Sequence, residues 1–577
     1  MTFRKSAFLL AFGALASLNA SAQQPGFAAL LDAPPRWVDS VFNKMNRHDR
    51  IAQLFFVRAH TNLSRAYQDS VGRVIKDEHL GGVVFFQGGP VRQAALTNKY
   101  QSVSKYPLLV TSDGEWGLGM RLDSTMSYPY QMALGAIQDK SLLHQMGLEV
   151  AKDFRRIGMH MNLAPVVDVN NNAKNPVINY RSFGENKYNV AQKAAEYVRG
   201  MQDGGLITSI KHFPGHGDTD VDSHYDLPQL KFSKERLDTL EMYPFRELIN
   251  QGVSGVMVAH MNIPSLDNTP NLPSTLSKPI ITDILKKGMN FKGIVISDAM
   301  DMKGVVKYFK DGEAEVLGII AGNDILELSE NSEVAVKMVR RAVRKGRISM
   351  DQIDSSVKKI LTAKYFAGLH QPDTVNLTNI AADLNRSESI ALRQKLADAS
   401  MTMLRGQEFV KSLSPMRRTV LISIGMPEVC AFQKELGAYY KNSVHYVLSN
   451  TANANAIAKI LRETNGFEQM IVGIHDSRTR PGNNMPLSAD VKNFIKEMAG
   501  RKAAFAFFAN PYNLAAIPGL ENSAALLVAY QKEEWMQKAA ASVFKNELIA
   551  TGRLPITVNG FFKFGDRDEQ TTAGRAD

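Results

Sequence analysis

Two kinds of hydrophobic pattern alternate along residues 37–368. Short apolar or β-branched runs predict β-strands, and longer stretches with an apolar residue every three or four positions predict amphipathic helices. The helical stretches include Leu142–Ile157, Val190–Asp203, Leu237–Gln251 and Ser277–Lys287. Between them we predict eight strands, at Ala52–Val57, Gly82–Phe86, Leu108–Thr111, Met161–Val166, Thr208–Lys211, Gly255–Val258, Gly293–Ile296 and Asp324–Leu328.

The number and spacing of these strand–helix units predict an α/β fold. Eight units in about 330 residues suit a (β/α)8 TIM-like barrel, which needs about 250 residues plus insertions. We assign this barrel to residues 23–368. A doubly wound sheet is the alternative because it also contains parallel strands, but eight regularly spaced units favour closure of the sheet.

The second half of the chain repeats the alternation on a smaller scale. Loop-forming residues begin near 366, and we assign residues 369–400 to a linker. A three-layer α/β/α sandwich domain is predicted over 401–564, followed by a polar tail, 565–577, that we predict to be disordered. The five strands predicted in this domain are Thr419–Ile424, Val444–Leu448, Met470–Ile474, Ala503–Phe508 and Ala525–Tyr530.

Residues 1–22 have the layout of a signal peptide. Arg4 and Lys5 precede the apolar run Ala7–Leu18, and Ala20-Ser21-Ala22 forms a small-residue cleavage site. We therefore expect an exported protein, periplasmic or secreted, with no membrane-spanning segment after removal of the signal. Cys430 is the single cysteine, so no disulfide can form within the chain.

Composition and charge exclude one class of partner. The formal net charge is +11, but the basic residues form no stripe interleaved with aromatic residues, so we do not expect nucleic acid to bind. The same charge is compatible with attraction to anionic surfaces such as a cell-wall polymer.

Polar and titratable residues collect where five successive strands end. In a (β/α)8 barrel the loops after the strands converge on one face, and this face carries the active site. The residues in question are Ser112-Asp113-Gly114-Glu115, Asp168-Val169-Asn170, Lys211-His212, Ala259-His260 and Ser297-Asp298.

Asp298 and His224 are the candidates for covalent and proton-transfer chemistry. Asp298 ends a buried strand at the barrel mouth, where a carboxylate can attack a carbon; the alternative is a cap on the following helix. Asp301 is a fallback that we interpret as structural. An unperturbed histidine titrates near neutral pH, so His224 can act as acid and base, with Asp222 orienting its ring.

A metal site is the competing interpretation of the same loop. Asp218, Asp220 and Asp222 follow the start of an EF-hand loop, but Ser223 and Gln229 stand where that loop needs glycine and a bidentate glutamate. His212, His216 and His224 lack a second cluster that would complete a zinc site. We therefore predict no metal and no organic cofactor.

Five residues are candidates for holding a ring with several hydroxyl groups, because carboxylates and cationic donors can pair with neighbouring oxygens. They are Asp113, Arg121, Arg181, Lys211 and His212. For His260 two interpretations stay open: it faces the site, or it is a hydrogen-bonded residue of the core.

Several motifs in the barrel half resemble glycoside hydrolase family 3, and within it the NagZ-type β-N-acetylglucosaminidases. They are PLLVTSDGEWGLGMRL, MNLAPVVDVN, RSFGENKYNV, KHFPGHGDTDVDSH and LSKPIITDILKKGMNFKGIVISDAMDM. The resemblance implies Asp298 as nucleophile and Asp222 with His224 as the acid/base dyad. It also implies that the sugar is bound by Asp113, Arg181, Lys211 and His212.

The chain departs from the family pattern in two respects. The loop after the third strand usually reads Asp-Gln-Glu-Gly-Gly, whereas here Trp116 adds an aromatic surface. Many members are cytoplasmic single barrels, whereas this chain has an export signal and a second domain whose ending, GRLPITV, resembles two-domain members. Because the DSH motif supplies an acid/base, we expect that domain to buttress the barrel or border the cleft.

The residues and the resemblance together predict an exo-acting, retaining β-N-acetylglucosaminidase. It would hydrolyse terminal β-linked N-acetylglucosamine from muropeptides or chitin oligosaccharides through a covalent glycosyl–Asp298 intermediate. The alternatives are a β-glucosidase or β-xylosidase, an N-acetylglucosamine phosphorylase on the same fold, and a non-catalytic wall-glycan-binding protein.

Overall fold

The structure is a computed structural model that describes residues 26–568, except 223–224, 311, 372, 479–481 and 483. The predicted signal peptide, residue His224 and the end of the polar tail lie outside the described residues. Two domains follow one another along the chain, each built on its own sheet.

Eight parallel strands form the first domain. In sheet order they run β7-β6-β5-β4-β3-β2-β1-β8, and a parallel bridge between Ile296 and Ile325 joins β7 to β8 and closes the ring. The prediction of a (β/α)8 barrel is confirmed. The strands are β1 (Phe55–Ala59), β2 (Gly82–Phe85), β3 (Leu109–Ser112), β4 (Met161–Asn162), β5 (Ile207–Phe213), β6 (Gly255–Val258), β7 (Ile294–Ser297) and β8 (Leu326–Glu327).

Helices surround these strands. The α-helices are Phe27–Asp32, Arg36–Phe42, Arg47–Ala52, Arg65–Glu78, Pro90–Val103, Gln131–Ala136, Ser141–Arg156, Lys187–Asp203, Lys234–Arg236, Tyr243–Asn250, Lys303–Val306, Glu313–Ala321, Ser332–Arg344 and Met350–Phe366. Leu237–Glu241 and Pro279–Gly288 are wound as π-helices, and Leu118–Met120, Asn179–Arg181 and Ser274–Leu276 as 3-10 turns.

Side chains alternate between the two faces of each barrel strand. Residues of one parity, such as Leu109, Ile207 and Ile296, face the barrel interior and belong to an apolar cluster that also includes residues of several surrounding helices. Their neighbours Val110 and Val295 belong to a second cluster under the outer helices. This alternation decides which polar residues at the strand ends face the interior of the barrel.

The second domain contains a six-stranded sheet in the order β11-β10-β12-β13-β14-β9. Its helices are Gln407–Lys411, Ala431–Tyr439, Ala454–Glu463, Ala489–Gly500 and Glu534–Phe544, with 3-10 turns at Pro511–Ala516 and Leu520–Asn522. The strands are β9 (Thr402–Arg405), β10 (Thr419–Ile424), β11 (Ser443–Leu448), β12 (Gln469–His475), β13 (Ala504–Phe508) and β14 (Ala525–Val528).

Five of these strands match the predicted ones, and β9 is an addition. It pairs antiparallel with β14, so the sheet is mixed rather than wholly parallel. Its four residues, Thr-Met-Leu-Arg, are too few and too polar to show a strand pattern in the sequence, and only pairing with an apolar neighbour fixes them as a strand.

The segment 369–400, which we assigned to a linker, contains the helices Ile380–Asp383 and Ser387–Ser400. Leu392 and Leu396 pack into the outer core of the barrel, and Ala397 packs into the core of the second domain. The segment therefore contributes to both hydrophobic cores.

Polar contacts join the second domain to the barrel loops that follow β3 and β4. The hydroxyl group of Tyr512 accepts a hydrogen bond from Asn170 Nδ2 at 2.9 Å and donates one to the Asn170 carbonyl oxygen at 3.0 Å. Within the GRLPITV motif, Thr557 donates twice to the Glu185 carboxylate, at 2.6 and 2.7 Å. Within the described part of the chain, no helix is long and apolar enough to cross a bilayer.

Candidate active site

The candidate site lies at the ends of β3, β5 and β7. Asp113, Lys211 and Asp298 each lie an even number of residues after an inward-facing residue of the same strand. These inward-facing residues are Leu109, Ile207 and Ile296, respectively, so all three polar side chains also face inward. The structure thus brings residues that are far apart in the sequence into one layer at the barrel mouth.

A buried ion network fills the β3–β5 side of this layer. Lys211 Nζ lies 2.6 Å from Asp113 Oδ1 and 3.0 Å from Glu115 Oε1. Arg121 Nη2 pairs with the second oxygen of Asp113. Burial alone would raise the pKa of Asp113, but Lys211 and Arg121 outweigh it and hold this pKa well below its usual range.

Arg181 completes the network through Glu115. Its Nε and Nη2 atoms donate to the two carboxylate oxygens of Glu115 at 2.9 and 2.6 Å, the bidentate geometry that the planar guanidinium favours. Glu115 is fully buried (0% exposed). Burial would raise its pKa, but Arg181 and Lys211 lower it to about 2. The site therefore keeps its carboxylates ionised next to cations.

Asp168 organises the loop after β5. Its Oδ2 lies 2.7 Å from His212 Nδ1, and its Oδ1 accepts from the backbone N–H groups of His212 (3.2 Å) and His216 (2.7 Å). Burial opposes ionisation of Asp168, but His212 and His216 lower its pKa. The Lys211–His212 peptide bond is cis. His212 thus joins the site through a carboxylate that fixes its ring.

Asp298 follows β7 directly. Its backbone N–H donates to the Val258 carbonyl oxygen at 2.9 Å, and its Oδ1 accepts from the Ala299 N–H at 2.8 Å. The next helix begins at Lys303, after Met302 at its N-cap, so Asp298 does not cap that helix. Asp301 forms a salt bridge of 2.8 Å with Arg58, which agrees with a structural role.

The loop that carries the predicted acid/base is described only in part. Asp222 is described and partly exposed, whereas His224 lies outside the described residues. Asp218 pairs with Arg236 at 2.6 Å, and Asp220 accepts from Asn172 at 2.7 Å, so these two carboxylates point to different partners. No group of three or more His, Cys, Asp or Glu side chains suited to a metal occurs among the residues that the structure describes.

In the Gly-His-Gly motif before that loop, steric constraints require glycine at position 217. A Cβ atom on Gly217 would lie 1.9 Å from the carbonyl oxygen of Val169, so only glycine fits where the loop passes the segment that follows β4. His216, next to it, is buried, and its Nδ1 lies 2.9 Å from Thr219 Oγ1. Burial lowers the pKa of His216 to about 4, with a further contribution from His212.

The structure shows the partners of two further residues that we considered near the site. His260 is fully buried, with Nδ1 2.6 Å from Thr275 Oγ1 and Nε2 2.9 Å from the Ala299 carbonyl oxygen; it is a hydrogen-bonded core residue. Trp116 contacts Tyr130, with ring centroids 4.7 Å apart, and Tyr130 contacts Tyr180 at 4.9 Å. This aromatic cluster packs towards the second domain.

Three buried acids of the site have no role in the sequence-based prediction: Glu115 and Asp168, which it notes only as polar residues at strand ends, and Glu327, which it does not include. Asp168 follows the fourth predicted strand, and Glu327 has inward parity in the eighth, so position and parity could have indicated both. Glu115 lies in a loop, and no periodic pattern indicates its pairing with Arg181, which is 66 residues away. The roles assigned to Asp298, Asp222, His224 and the sugar-binding residues stay predictions.

Comparison with known proteins places the barrel in a family. Residues 47–363 match the sequence profile described as the glycosyl hydrolase family 3 N-terminal domain. Beta-hexosaminidase A of Pseudoalteromonas piscicida is 27% identical over 548 residues, which cover 85% of this chain and 91% of the relative. Beta-hexosaminidase LpqI of Mycobacterium tuberculosis is 30% identical over 335 residues, which cover 56% of this chain and 83% of the relative.

Solved structures agree on both domains. A glycoside hydrolase family 3 β-N-acetylglucosaminidase from Paenibacillus sp. superposes with a TM-score of 0.75 at 28% identity, covering 89% of this chain and 99% of that one. Beta-glucoside phosphorylase BglX has a TM-score of 0.77 at 20% identity over 90% of this chain and 95% of that one, a likeness of fold alone.

Proposed function

The chain belongs to glycosyl hydrolase family 3, and from this premise we propose that it is an exo-acting, retaining β-N-acetylglucosaminidase. The observation that carries the proposal is the position of Asp298, a carboxylate at the end of β7 in the same inward layer as the Asp113–Lys211 ion pair. Its relatives include proteins named as β-hexosaminidases and a β-N-acetylglucosaminidase.

In the proposed reaction Asp298 attacks the anomeric carbon while His224 protonates the oxygen of the leaving group. The carbon–oxygen bond to the leaving group breaks, and an ester between Asp298 and the sugar forms. His224 then takes a proton from water, whose oxygen attacks the same carbon and releases Asp298. Asp222 orients the His224 ring throughout.

The ion network is suited to holding the sugar ring during these steps. Asp113, Lys211 and Arg181 are held in place by buried ion pairs, so little conformational freedom is lost when hydroxyl groups bind to them. Arg121 and His212 border the same space through Asp113 and Asp168. No metal or organic cofactor is needed for this chemistry.

We propose terminal β-linked N-acetylglucosamine of muropeptides or chitin oligosaccharides as the substrate. The charge–apolar–AxA pattern of residues 1–22 supports export to the periplasm or medium, where such glycans occur. A panel of aryl N-acetylglucosaminide, aryl glucoside, chitobiose and a muropeptide tests sugar and aglycone together. Product analysis with and without inorganic phosphate separates hydrolysis from phosphorolysis.

Variants test the proposed roles. Asp298→Ala is expected to lower kcat about a thousandfold or more, and His224→Ala about a hundredfold or more on substrates with poor leaving groups. Asp283→Ala, on the exposed side of the helix Pro279–Gly288, is the control and is expected to retain full activity. Wild-type turnover in the Asp298 variant would refute the assignment of the nucleophile.

A further inference from the structure

Glu327 lies directly beside the predicted nucleophile. The parallel bridge between Ile296 and Ile325 sets the register of β7 against β8, and two residues further along the strands Asp298 stands opposite Glu327. Both side chains have the inward parity of those two isoleucines. Glu327 is 5% exposed, so its carboxyl group is enclosed in the barrel mouth.

Backbone contacts fix this arrangement on both sides of Asp298. The N–H group of Glu327 donates to Ser297 Oγ at 3.1 Å, and the N–H group of Met300 donates to the Glu327 carbonyl oxygen at 3.0 Å. The backbone segments that carry Asp298 and Glu327 are therefore held side by side.

The charged groups facing Glu327 come from four barrel strands: Arg58 on β1, Asp113 after β3, Lys211 on β5 and Asp298 after β7. Both cations are already paired, Arg58 with Asp301 at 2.8 Å and Lys211 with Asp113 at 2.6 Å. Burial, followed by the negative charges of Asp113 and Asp298, raises the pKa of Glu327 well above its usual value. This shift favours the neutral form of Glu327 next to the carboxylate of Asp298.

We propose that Glu327 is a positioning residue for Asp298, whose carboxylate accepts a hydrogen bond from the protonated Glu327 carboxyl group. This inference rests on the proposed function, in which Asp298 is the nucleophile. Two adjacent carboxyl groups that are shielded from water are expected to share one proton. With the proton on Glu327, Asp298 stays ionised in mildly acidic solution and its attacking oxygen is oriented.

Two substitutions test whether position 327 must provide a hydrogen-bond donor to Asp298. Glu327→Gln keeps the shape and an N–H donor, so kcat/KM on the aryl glycoside is expected to stay within about threefold of wild type. Glu327→Leu removes the donor, so kcat/KM at neutral pH is expected to fall about tenfold or more. The acidic limb of its pH profile is expected to move up by about one pH unit, because Asp298 then binds a proton more readily.

Glu315→Leu is the matched control. Glu315 is also a buried carboxyl group whose pKa is raised by burial, but it lies on the outer helix Glu313–Ala321. Its replacement is expected to leave the acidic limb unchanged. The inference is overturned if Glu327→Gln loses as much activity as Glu327→Leu, or if Glu327→Leu keeps the wild-type acidic limb.

A second measurement needs no turnover and keeps this inference distinct from the proposed function. A carboxyl group whose pKa is raised by folding loses its stabilising contribution as the pH rises above the ordinary glutamate value. We therefore expect urea unfolding to show that the stability of wild type relative to Glu327→Gln is lower at pH 8 than at pH 5. A pH-independent difference would refute the protonated state, whereas failure of the wild type on every glycoside would refute only the proposed function.

Discussion

Replacing Glu115 by glutamine tests whether the buried ion network stabilises the barrel mouth. The substitution keeps the shape of the side chain but removes its negative charge. Arg181 then loses its bidentate partner and Lys211 one of its two carboxylates. Because two carboxylates, Asp113 and Glu115, face Lys211, Arg121 and Arg181, the variant leaves a single carboxylate among these three cations.

The expected loss follows from the electrostatics of Glu115. Its pKa is about 2 in the folded protein against an ordinary value of 4.5. At about 1.4 kcal/mol per pKa unit, this difference corresponds to roughly 3 kcal/mol of stability at neutral pH. Removal of one partner from a buried ion pair costs about 3–5 kcal/mol in general, which agrees with this value.

The dependence on pH has a definite sign. The folded pKa lies below the unfolded one, so the stabilisation is complete above about pH 4.5 and is lost as the pH falls towards about 2. Urea unfolding at pH 7, 5.5 and 4 is the assay. Glu115→Gln is expected to be about 3 kcal/mol less stable than wild type at pH 7 and 5.5, with a smaller difference at pH 4.

A matched control shows whether the same substitution at an exposed glutamate also lowers stability. Glu235 is exposed near the start of the helix Lys234–Arg236, and Glu235→Gln is expected to change stability by less than about 0.5 kcal/mol. A Glu115→Gln variant within about 1 kcal/mol of wild type at pH 7 would show that the network does not stabilise the fold as its geometry indicates.

Three further substitutions probe other parts of the structure. Asp324→Asn, which removes a buried carboxylate between two lysines next to the β7–β8 closure, is expected to lower stability in urea unfolding by about 3 kcal/mol. Lys364 is buried, and burial lowers its pKa to about 7. Because protonation of Lys364 is therefore less favourable in the folded state than in the unfolded state, the stability of Lys364→Met relative to wild type is expected to increase as the pH falls from 10 to 7. Tyr512→Phe, which breaks the reciprocal pair with Asn170 between the domains, is expected to lower the unfolding free energy by about 1–2 kcal/mol.

The barrel could be predicted because its strands are short, apolar and evenly spaced, and because strand parity is visible in the sequence. Gly255–Val258 was predicted with its observed bounds. The same parity places Asp113, Lys211 and Asp298 on the inner face, so most of the candidate site follows from local pattern once closure of the sheet is assumed.

Features that depend on contacts between distant segments could not be predicted. The helix Ser387–Ser400 contains many polar residues, so its sequence does not distinguish a helix from a linker. Its role follows only from its packing against the cores of both domains. The partner of Arg181 depends on how the loops after β3 and β4 approach each other. Such loops have no periodicity to indicate their path.

The two sides of the barrel mouth differ in how their carboxyl groups are paired, and this difference explains why the pKa of one carboxyl group is raised. On the β3–β5 side Lys211 and Arg181 lie within ion-pair distance of Asp113 and Glu115, so these carboxylates are ionised despite burial. Lys211 also faces Glu327, but it is held by closer partners. The pKa of Glu327, next to Asp298, is therefore raised, which favours its neutral form. In the proposed reaction positive charge develops at the anomeric carbon, and an ionised Asp298 stabilises this charge. A second negative charge beside Asp298 would favour protonation of the nucleophile. A neutral neighbouring acid contributes a hydrogen bond instead and leaves Asp298 ionised.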